Sequence, residues 1–310
     1  MVEIYDFTFW DVYDGSAEGS GRSEKIWLQS KTGEIGLFKF PKINPADQKE
    51  TTEHISEHLA YQIGKILGVA TAKVDIGTYN GRIGSMSYFV CDKQEYLQEG
   101  IWLISEKYPK YNADTMQDEE DGRYYCIDHL CSVMPHGFEK AWIQMLLFDF
   151  LIGNSDRHQS NWAILIKPSF DKKKISFRVR WSPLYDNGSS LCCFINNEEL
   201  NQLLGKDKER FEALVDSKSR SRIRIDGFRK KAPTHREVVK YLLKNYSISR
   251  VIAENFVRKL TKDVIDNLLM EYSDDILPEN RRKLISYYLY KKIDILEGLI
   301  REVVCENAAE

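Results

Sequence analysis

The stretch 148-FDFLIGNSDRHQSNWAILI-166 sets a dense polar cluster between two apolar runs. The first run ends at Gly153, every position from Asn154 to Asn161 is polar, and apolar residues return at Trp162. Two interpretations are open at this point. The cluster is either an active site or a polar turn that caps a helix, since Asn, Ser and Asp are favoured helix caps.

The spacing inside the cluster favours an active site for phosphoryl transfer. Asp156 and Asn161 stand five positions apart, as do the catalytic Asp and the metal-binding Asn of the protein-kinase catalytic loop. Downstream, 182-SPLYDNGSSL-191 carries Asp186 in Asp-Asn-Gly, where kinases have the metal-binding Asp of Asp-Phe-Gly. This chemistry needs a carboxylate to accept the hydroxyl proton, metal ligands and a cation on the phosphates.

Residues upstream supply the remaining parts in the expected order. Lys39 lies in GLFKF, a predicted strand, and Glu57 lies on the next predicted helix, where it could hold Lys39 as an ion pair. The segment 15-GSAEGSGRSEK-25 is rich in glycine and serine, which suits close approach of backbone N–H groups to phosphate oxygens. It does not match G-x-G-x-x-G, so the order of the features carries the prediction.

Hydrophobic patterning predicts a β-rich first part of the chain. The sequence KIWLQSKTGEIGLFKF, residues 25–40, predicts a hairpin that turns at Gly33. The same patterns predict one helix and a second strand pair, at residues 47–67, 74–79 and 83–90.

The second part of the chain is predicted to be mainly helical. Residues 107–122 are polar and predict a loop, whereas residues 141–152 are apolar on all sides and predict a buried helix. Beyond residue 197 the pattern is amphipathic helix, as at 238–246, 251–260 and 284–300. We therefore predict an α+β, bilobal, protein-kinase-like fold with a small β-rich N-lobe at residues 1–95 and a larger helical C-lobe at residues 96–310.

Composition narrows the function classes. The chain has 310 residues, 43% of them hydrophobic, and 44 Lys and Arg against 47 Asp and Glu, so its net charge of −3 argues neither for a nucleic-acid binder nor for a membrane-surface protein. No apolar run approaches the ~20 residues that span a bilayer. The acidic N-terminus does not resemble a secretory signal, and the six cysteines form no disulfide framework. These features predict a cytoplasmic protein with reduced thiols.

Taken together, the motifs resemble the HipA-like serine/threonine kinases, distant relatives of protein kinases and phosphoinositide lipid kinases that share a D-R-H-x-x-N loop. From about Gly15 to Leu191 the resemblance rests on specific motifs. Beyond Leu191 it is general and consists only of a helical C-lobe. The matching stretches are GSGRSEK at 19–25, SEHLAYQIGKILGV at 56–69, IGNSDRHQSNWAIL at 152–165 and WSPLYDNGSSL at 181–191.

The resemblance implies a protein serine/threonine kinase that uses ATP and Mg²⁺. It implies Asp156 as the catalytic base, Asn161 and Asp186 as metal ligands, and Lys39 on the phosphates. His158 is expected to hold the loop and the metal-binding segment in register rather than act as the base. The residues assigned to the nucleotide site are Gly19, Ser20, Gly21, Lys25, Lys39, Glu57 and His158.

The family also implies partners and a form of regulation. A protein substrate, such as a translation factor or an aminoacyl-tRNA synthetase, and a small DNA-binding antitoxin are expected. Only fourteen residues precede Gly15, so the chain resembles a compact variant without the extra N-terminal subdomain of many members. Some members inactivate themselves by phosphorylating one of two serines in the glycine-rich loop. The matching positions here are Glu18 and Ser20, so only Ser20 could be modified.

Other interpretations of single motifs stay open. A nucleotide-binding pseudokinase or interaction module is one alternative, although pseudokinases usually lack the Lys, the catalytic Asp or the metal-binding Asp, and none of these is missing here. A kinase for a lipid or small molecule is another alternative, since lipid kinases share the D-R-H-x-x-N loop. The segment 54-HISEH-58 fits the zinc pattern H-x-x-E-H, and Cys126, His129, Cys131 and His136 could also suggest zinc, although their spacing is wrong. The run 218-KSRSRIRIDGFRKK-231 could hold an acidic protein substrate or RNA, or be a solvated basic loop.

Overall fold

The computed structural model describes residues 1–14, 24–171, 174–205 and 207–309. The chain divides into two units, each assembled from three separate segments. The first unit contains Met1–Phe89, Tyr185–Phe211 and Leu260–Tyr290, and the second contains Val90–Leu184, Glu212–Lys259 and Lys291–Glu310. The predicted lobe boundary at residue 95 stays a prediction.

Strands predominate in the first hundred residues, and helices dominate the last third of the chain. The strands are β1 Ile4–Asp6, β2 Asp11–Val12, β3 Lys25–Gln29, β4 Ile35–Lys39, β5 Val74–Tyr79, β6 Arg82–Tyr88, β7 Tyr96–Glu99, β8 Tyr111–Asn112, β9 Gln117–Asp118, β10 Ala163–Asp171 and β11 Lys174–Trp181. The helices are α1 Glu53–Leu67, α2 Gly100–Lys107, α3 Ile127–Val133, α4 Glu139–Ile152, α5 Asn197–Leu204, α6 Lys208–Val215, α7 His235–Asn245, α8 Ser247–Lys259, α9 Lys262–Met270 and α10 Glu279–Ala309. The predicted α+β class is confirmed.

A six-stranded sheet in the order β1-β5-β6-β4-β3-β2 forms the first unit's β-rich part. The predicted hairpin is confirmed as β3 and β4, whose antiparallel register sets Lys25 opposite Lys39. Gly33 makes the turn with φ +88°, a conformation that favours glycine. One face of the sheet buries an apolar cluster: Phe7, Leu28, Phe38 and Met86. This cluster fixes the strand that ends at Lys39.

The predicted helix over 47–67 is wrong at its start, because α1 begins only at Glu53. Gln48 has φ +56°, which is incompatible with a right-handed helix. The Thr52 N–H donates to the carbonyl of Cys193 at 3.2 Å. A contact with a residue so distant in sequence cannot be predicted from local periodicity. The helix ends as predicted, at Gly68 with φ +75°.

Helix α4 is a buried helix of the second unit. Ten residues of this 14-residue helix are buried, so the prediction of a buried helix at 141–152 is confirmed. A three-stranded sheet in the order β11-β10-β7 belongs to the same unit. The sequence patterns missed the long hairpin of β10 and β11, and the predicted loop at 107–122 contains the short pair β8 and β9.

Among the helices of the described ranges, none combines the length and the apolar character needed to cross a membrane.

Candidate active site

Three charged residues of the first unit meet at the end of β4. The Lys39 Nζ lies 3.0 Å from Glu57 Oε1 and 2.8 Å from Asp186 Oδ1. Lys39 is the last residue of β4, Glu57 lies in the second turn of α1, and Asp186 lies 147 residues beyond Lys39. We call this group the Lys39 cluster. The fold therefore forms the predicted ion pair of Lys39 with Glu57 and places Asp186 beside it.

The three side chains of the Lys39 cluster differ in their exposure to solvent. The exposed fractions of the side chains are 4% for Glu57, 16% for Lys39 and 45% for Asp186. Burial raises the pKa of Glu57, and the nearby Asp186 raises it further, against the opposing effect of Lys39. For Lys39, burial would lower the pKa, but the carboxylates of Asp186 and Glu57 outweigh it and raise the pKa. Lys39 is thus held as a cation beside an accessible carboxylate.

The backbone around Asp186 is in a rare conformation. Asp186, Leu191 and Cys192 have φ values of +56°, +48° and +63°, in the left-handed region that non-glycine residues seldom adopt. The Ser190 Oγ donates to the Asn187 carbonyl at 2.6 Å and so ties the intervening turn together. Strained backbone of this kind is concentrated at functional sites, which agrees with a role for Asp186 beyond packing.

The polar segment 154–161 of the second unit follows the left-handed Gly153 at the end of α4. The Asn154 Oδ1 accepts a hydrogen bond from the Asp156 N–H at 3.0 Å. The Asn161 Nδ2 in turn donates to the Asp156 carbonyl at 2.8 Å. This bond closes the five-residue spacing into a compact loop that carries both Asp156 and Asn161. The segment ends in β10 rather than a helix, so it does not cap a following helix.

A buried ion pair between Arg157 and Asp149 stabilises this loop. Arg157 donates from Nη2 to Asp149 Oδ1 at 2.8 Å and from Nε to Asp149 Oδ2 at 3.0 Å. Its Nη1 also donates to the Asn161 carbonyl at 2.6 Å. The two side chains are only 1% and 3% exposed, and burial raises the pKa of Asp149 against the pull of Arg157. Arg157 therefore ties the end of α4 to the end of the loop.

The His158 side chain accepts a hydrogen bond within the loop, and its backbone N–H donates one. The Ser160 N–H donates to His158 Nδ1 at 3.2 Å, which places the ring proton of the neutral form on Nε2. The His158 N–H donates to the Asp156 carbonyl at 2.8 Å. His158 thus helps to shape the loop, and its predicted bridge to the metal-binding segment stays a prediction.

Two contacts to the loop were not predicted from the sequence. The Arg222 Nη2 lies 3.3 Å from Asp156 Oδ1, and its Nε donates to the Ser155 carbonyl at 3.1 Å. The His235 Nε2 hydrogen-bonds the Asn154 carbonyl at 3.0 Å. The alternating arginines of the basic run offered a signal for Arg222, whereas nothing in the sequence marked His235.

The buried His235 is held as a neutral ring. Its Nε2 donates to a carbonyl, so Nδ1 accepts the hydrogen bond of 2.9 Å with the Ser219 hydroxyl, which itself accepts from Lys292 at 2.9 Å. Burial lowers the pKa of His235 to about 3, with a further contribution from Lys292. A chain of three side chains thereby anchors the start of the polar segment.

The glycine-rich loop lies outside the described residues, including Gly19, Ser20 and Gly21 and the neighbouring Glu18. Lys25 begins β3 directly opposite Lys39 across the hairpin. The nucleotide-binding roles of these residues stay predictions.

Two residues of the alternative zinc motifs contact residues outside those motifs. The His58 Nδ1 lies 2.6 Å from the Tyr272 hydroxyl, and the Cys131 Sγ lies 3.8 Å from the Tyr246 hydroxyl. Within the described ranges, no group of three or more His, Cys, Asp or Glu side chains is placed to hold a metal ion. Glu57 belongs instead to the Lys39 cluster.

The chemistry of the predicted ligands fits a hard cation and phosphate. Asp186 offers a carboxylate and Asn161 an amide oxygen, the donors that Mg²⁺ prefers when it is also bound by substrate phosphates. Because the Asn161 Nδ2 donates to a carbonyl, its Oδ1 is the atom suited to a cation. Lys39 supplies the positive charge for phosphate oxygens.

The fold and these residues define a kinase-like protein of the HipA type. The family model for the HipA-like C-terminal domain matches residues 17–254, so the chain belongs to this family, as the motifs predicted. The serine/threonine-protein kinase CtkA of Helicobacter pylori is 28% identical over 191 residues, 60% of this chain and 55% of that kinase. The chain thus matches about half the length of this curated relative.

Two solved structures share the fold. The crystal structure of the Helicobacter pylori proinflammatory kinase CtkA has a TM-score of 0.78 and 19% identity, over 97% of this chain and all of that one. HipA of the Shewanella oneidensis toxin-antitoxin system, solved with HipB and operator DNA, has a TM-score of 0.59 and 17% identity, over 97% of this chain and 69% of that one. At these identities the likeness establishes the fold.

Proposed function

We propose that this protein is an ATP-dependent protein serine/threonine kinase of the HipA type. The observation that carries the proposal is the Lys39 cluster, in which a buried Glu57 holds Lys39 beside the more exposed Asp186. A lysine fixed by a helix carboxylate next to a metal-binding Asp is the arrangement that phosphoryl transfer by kinases requires.

Each predicted residue takes one part in the proposed reaction. Lys39 neutralises charge on the ATP phosphates, and Asn161 and Asp186 would hold Mg²⁺. The bound Mg²⁺ would supply charge stabilisation for the transferred phosphoryl group. Asp156 orients the Ser or Thr hydroxyl of the substrate and accepts its proton. The hydrogen bonds to the Asp156 N–H and carbonyl support this role, because they fix its backbone on both sides.

The proposal includes a wider setting. The substrate is a protein, such as a translation factor or an aminoacyl-tRNA synthetase, and a small DNA-binding antitoxin is the regulatory partner in the cytoplasm. The relatedness to HipA, whose solved complex contains HipB and operator DNA, supports the antitoxin. Gly19, Ser20, Gly21 and Lys25 complete the nucleotide site in this scheme, with His158 shaping the loop.

The first test compares Asp156→Asn with the wild type. Both proteins are incubated with labelled ATP, Mg²⁺ and a cell lysate, and labelled serines and threonines are located by mass spectrometry. We expect the variant to lose at least about 100-fold in rate, the contribution of a positioned general base. Asp128→Asn is the matched control, since Asp128 is an exposed carboxylate at the start of α3.

Four results would contradict the proposal in different ways. Normal phosphorylation by Asp156→Asn would show that the base is wrongly assigned. Nucleotide binding without transfer by either protein would indicate a pseudokinase or docking module. Transfer only to a lipid or small molecule would change the substrate class, and failure to bind nucleotide would reject phosphoryl transfer altogether.

A further inference from the structure

The basic run at 218–231 contains an extended segment with a regular alternation. Ser219, Ser221 and Ile223 are buried, whereas the arginines between and after them are partly or fully exposed: Arg220, Arg222 and Arg224. Isolated bridges from Arg220 to Thr234 and from Arg224 to Cys126 hold the segment in a strand-like form. Alternate residues of such a segment point the same way about 7 Å apart. The three arginines therefore form a row along one side of the segment.

The middle arginine of this row reaches the predicted catalytic base. Arg222 contacts both the Asp156 carboxylate and the Ser155 carbonyl. The arginines on either side of it line a groove of about 700 Å³ within the same unit. The row thus connects Asp156 to the groove.

The groove is strongly basic. The described residues that line it include five cations and two carboxylates, and the cations are Arg220, Arg224, Arg229, Lys230 and Lys231. The carboxylates are already engaged, since Asp226 accepts from the Phe228 N–H at 2.9 Å and Glu237 from the Thr234 N–H at 2.6 Å. Asp226 also lies 3.7 Å from the Arg229 guanidinium, so the two acids balance only part of the positive charge of the five cations.

The groove is held in shape by its own arginines. Arg224 donates to the carbonyls of Arg229 and Lys230 at 3.0 Å each, and Arg220 donates to the Ala232 carbonyl at 2.6 Å. Burial lowers the pKa of Arg224, and repulsion from Arg222 lowers it further against the effect of Tyr124. Positive charge is thus concentrated in a preformed site, where an added anion would relieve the repulsion.

We propose that this groove binds acidic side chains that flank the phosphorylated Ser or Thr of the protein substrate. The proposal rests on the kinase function proposed above. An extended peptide advances about 3.3 Å per residue, so the row places acidic residues about two to four positions from the acceptor hydroxyl. Acidic residues of the substrate pair with Arg220, Arg224, Lys230 and Lys231.

The observations favour a peptide over RNA. Binding of single-stranded nucleic acid relies on aromatic side chains that stack on bases. No aromatic residue is among the described residues that line the groove. The nearby exposed ring of Phe228 has the Arg123 guanidinium 5.5 Å from its centre. The contact of Arg222 with Asp156 also links the groove to phosphoryl transfer.

The test uses a peptide library with a central Ser and with Asp, Ala or Lys at each flanking position. Wild type, Lys230→Glu/Lys231→Glu and the matched control Lys140→Glu/Arg258→Glu are assayed with labelled ATP and Mg²⁺. All four changed residues lie on the surface, and the control pair does not line the groove. Both double variants change the net charge by the same amount.

We expect the wild type and the control to prefer Asp near the acceptor by about tenfold in kcat/KM, from a few exposed ion pairs. The groove variant should lose this preference but still phosphorylate the Ala-flanked peptide. The preference should also weaken as salt is raised.

The experiment distinguishes failure of the groove proposal from failure of the proposed kinase function. Phosphorylation of Ser without any preference for Asp, or with equal preference in the groove variant, overturns the groove proposal and leaves the kinase function intact. RNA binding that the groove variant loses, with no preference for Asp, overturns it in favour of a nucleic acid. If the wild type labels no Ser or Thr in peptides or lysate, the kinase function itself fails and the groove proposal with it.

Discussion

At the scale of single residues, Glu57 of the Lys39 cluster has a charge that serves function at a cost in stability. Glu57 is almost fully buried, and burial raises its pKa, so its charge is costly for the fold. The charge is retained where it holds Lys39 in place. A residue that costs stability and positions a cation is typical of functional sites.

Glu57→Gln is expected to weaken nucleotide binding without a large loss of stability, because Lys39 keeps its ion pair with Asp186. Loss of the anionic partner should reduce affinity for a non-hydrolysable ATP analogue with Mg²⁺ by about tenfold, which is about 1.4 kcal/mol. Titration calorimetry measures the affinity, and urea denaturation measures the free energy of unfolding. Glu53→Gln on the same helix is the control, since Glu53 pairs with Lys42 rather than Lys39. Equal affinities for the two variants would contradict this role of Glu57.

At the scale of secondary-structure elements, α4 and the loop that follows it depend on one ion pair. Asp149 lies near the end of α4, Arg157 lies in the loop, and the Arg157 bond to the Asn161 carbonyl closes the loop. Removing one partner of such a pair leaves an uncompensated buried charge. The loop that carries Asp156 should therefore be sensitive to Arg157.

Arg157→Ala should lower the free energy of unfolding by about 3 to 5 kcal/mol, because Asp149 would remain buried without its partner. Arg250→Ala removes an exposed pair with Glu254, whose side chains are 52% and 49% exposed, and should cost about 0.5 kcal/mol or less. Urea denaturation followed by circular dichroism compares the two variants. A similar small loss for both would mean that the buried pair does not stabilise the loop.

The elements also show which structure could be predicted from sequence. The β3 and β4 hairpin and the buried α4 were predictable, because Gly33 and the apolar run of α4 are local signals. The start of α1 was not, because it depends on the contact between Thr52 and Cys193. The β10 and β11 hairpin was also missed, since the long apolar and basic stretch it occupies carries no glycine turn signal.

In the candidate site, too, the features with a local sequence pattern could be predicted and the tertiary contacts could not. Asp156, Asn161, Asp186, Lys39 and Glu57 were found through their order and spacing along the chain. Apart from the pairing of Glu57 with Lys39, the partners that hold these residues were not predicted, because a tertiary contact such as that of His235 with Asn154 leaves no local pattern.

At the scale of the whole molecule, buried neutral histidines make stability depend on pH. Burial lowers the pKa of four of the six histidines: His54 and His58, both to about 4, His129, and His235, to about 3. In the unfolded chain these rings take up protons near pH 6.5. The unfolded state therefore binds more protons below that pH, and folding is weakened as the pH falls from about 6.5 towards 3.

His235→Asn should make this pH dependence shallower. At pH 5 the difference between the unfolded pKa near 6.5 and a folded pKa near 3 makes His235 responsible for a loss of about 2 kcal/mol relative to pH 7.5. Urea denaturation at both pH values gives the loss for wild type, for His235→Asn and for His136→Asn, an exposed control. Equal losses for all three proteins would show that folding does not lower the pKa of His235.

The discontinuous first unit also constrains how the protein is made. Its sheet is complete by Phe89, but its last segment ends at Tyr290, about 200 residues later. At usual translation rates a ribosome needs roughly 10 to 40 s to add that length. During this interval the nascent sheet has been synthesised without the residues that later pack with it. A chaperone that shields the emerging sheet would act in that interval, before the last segment leaves the ribosome.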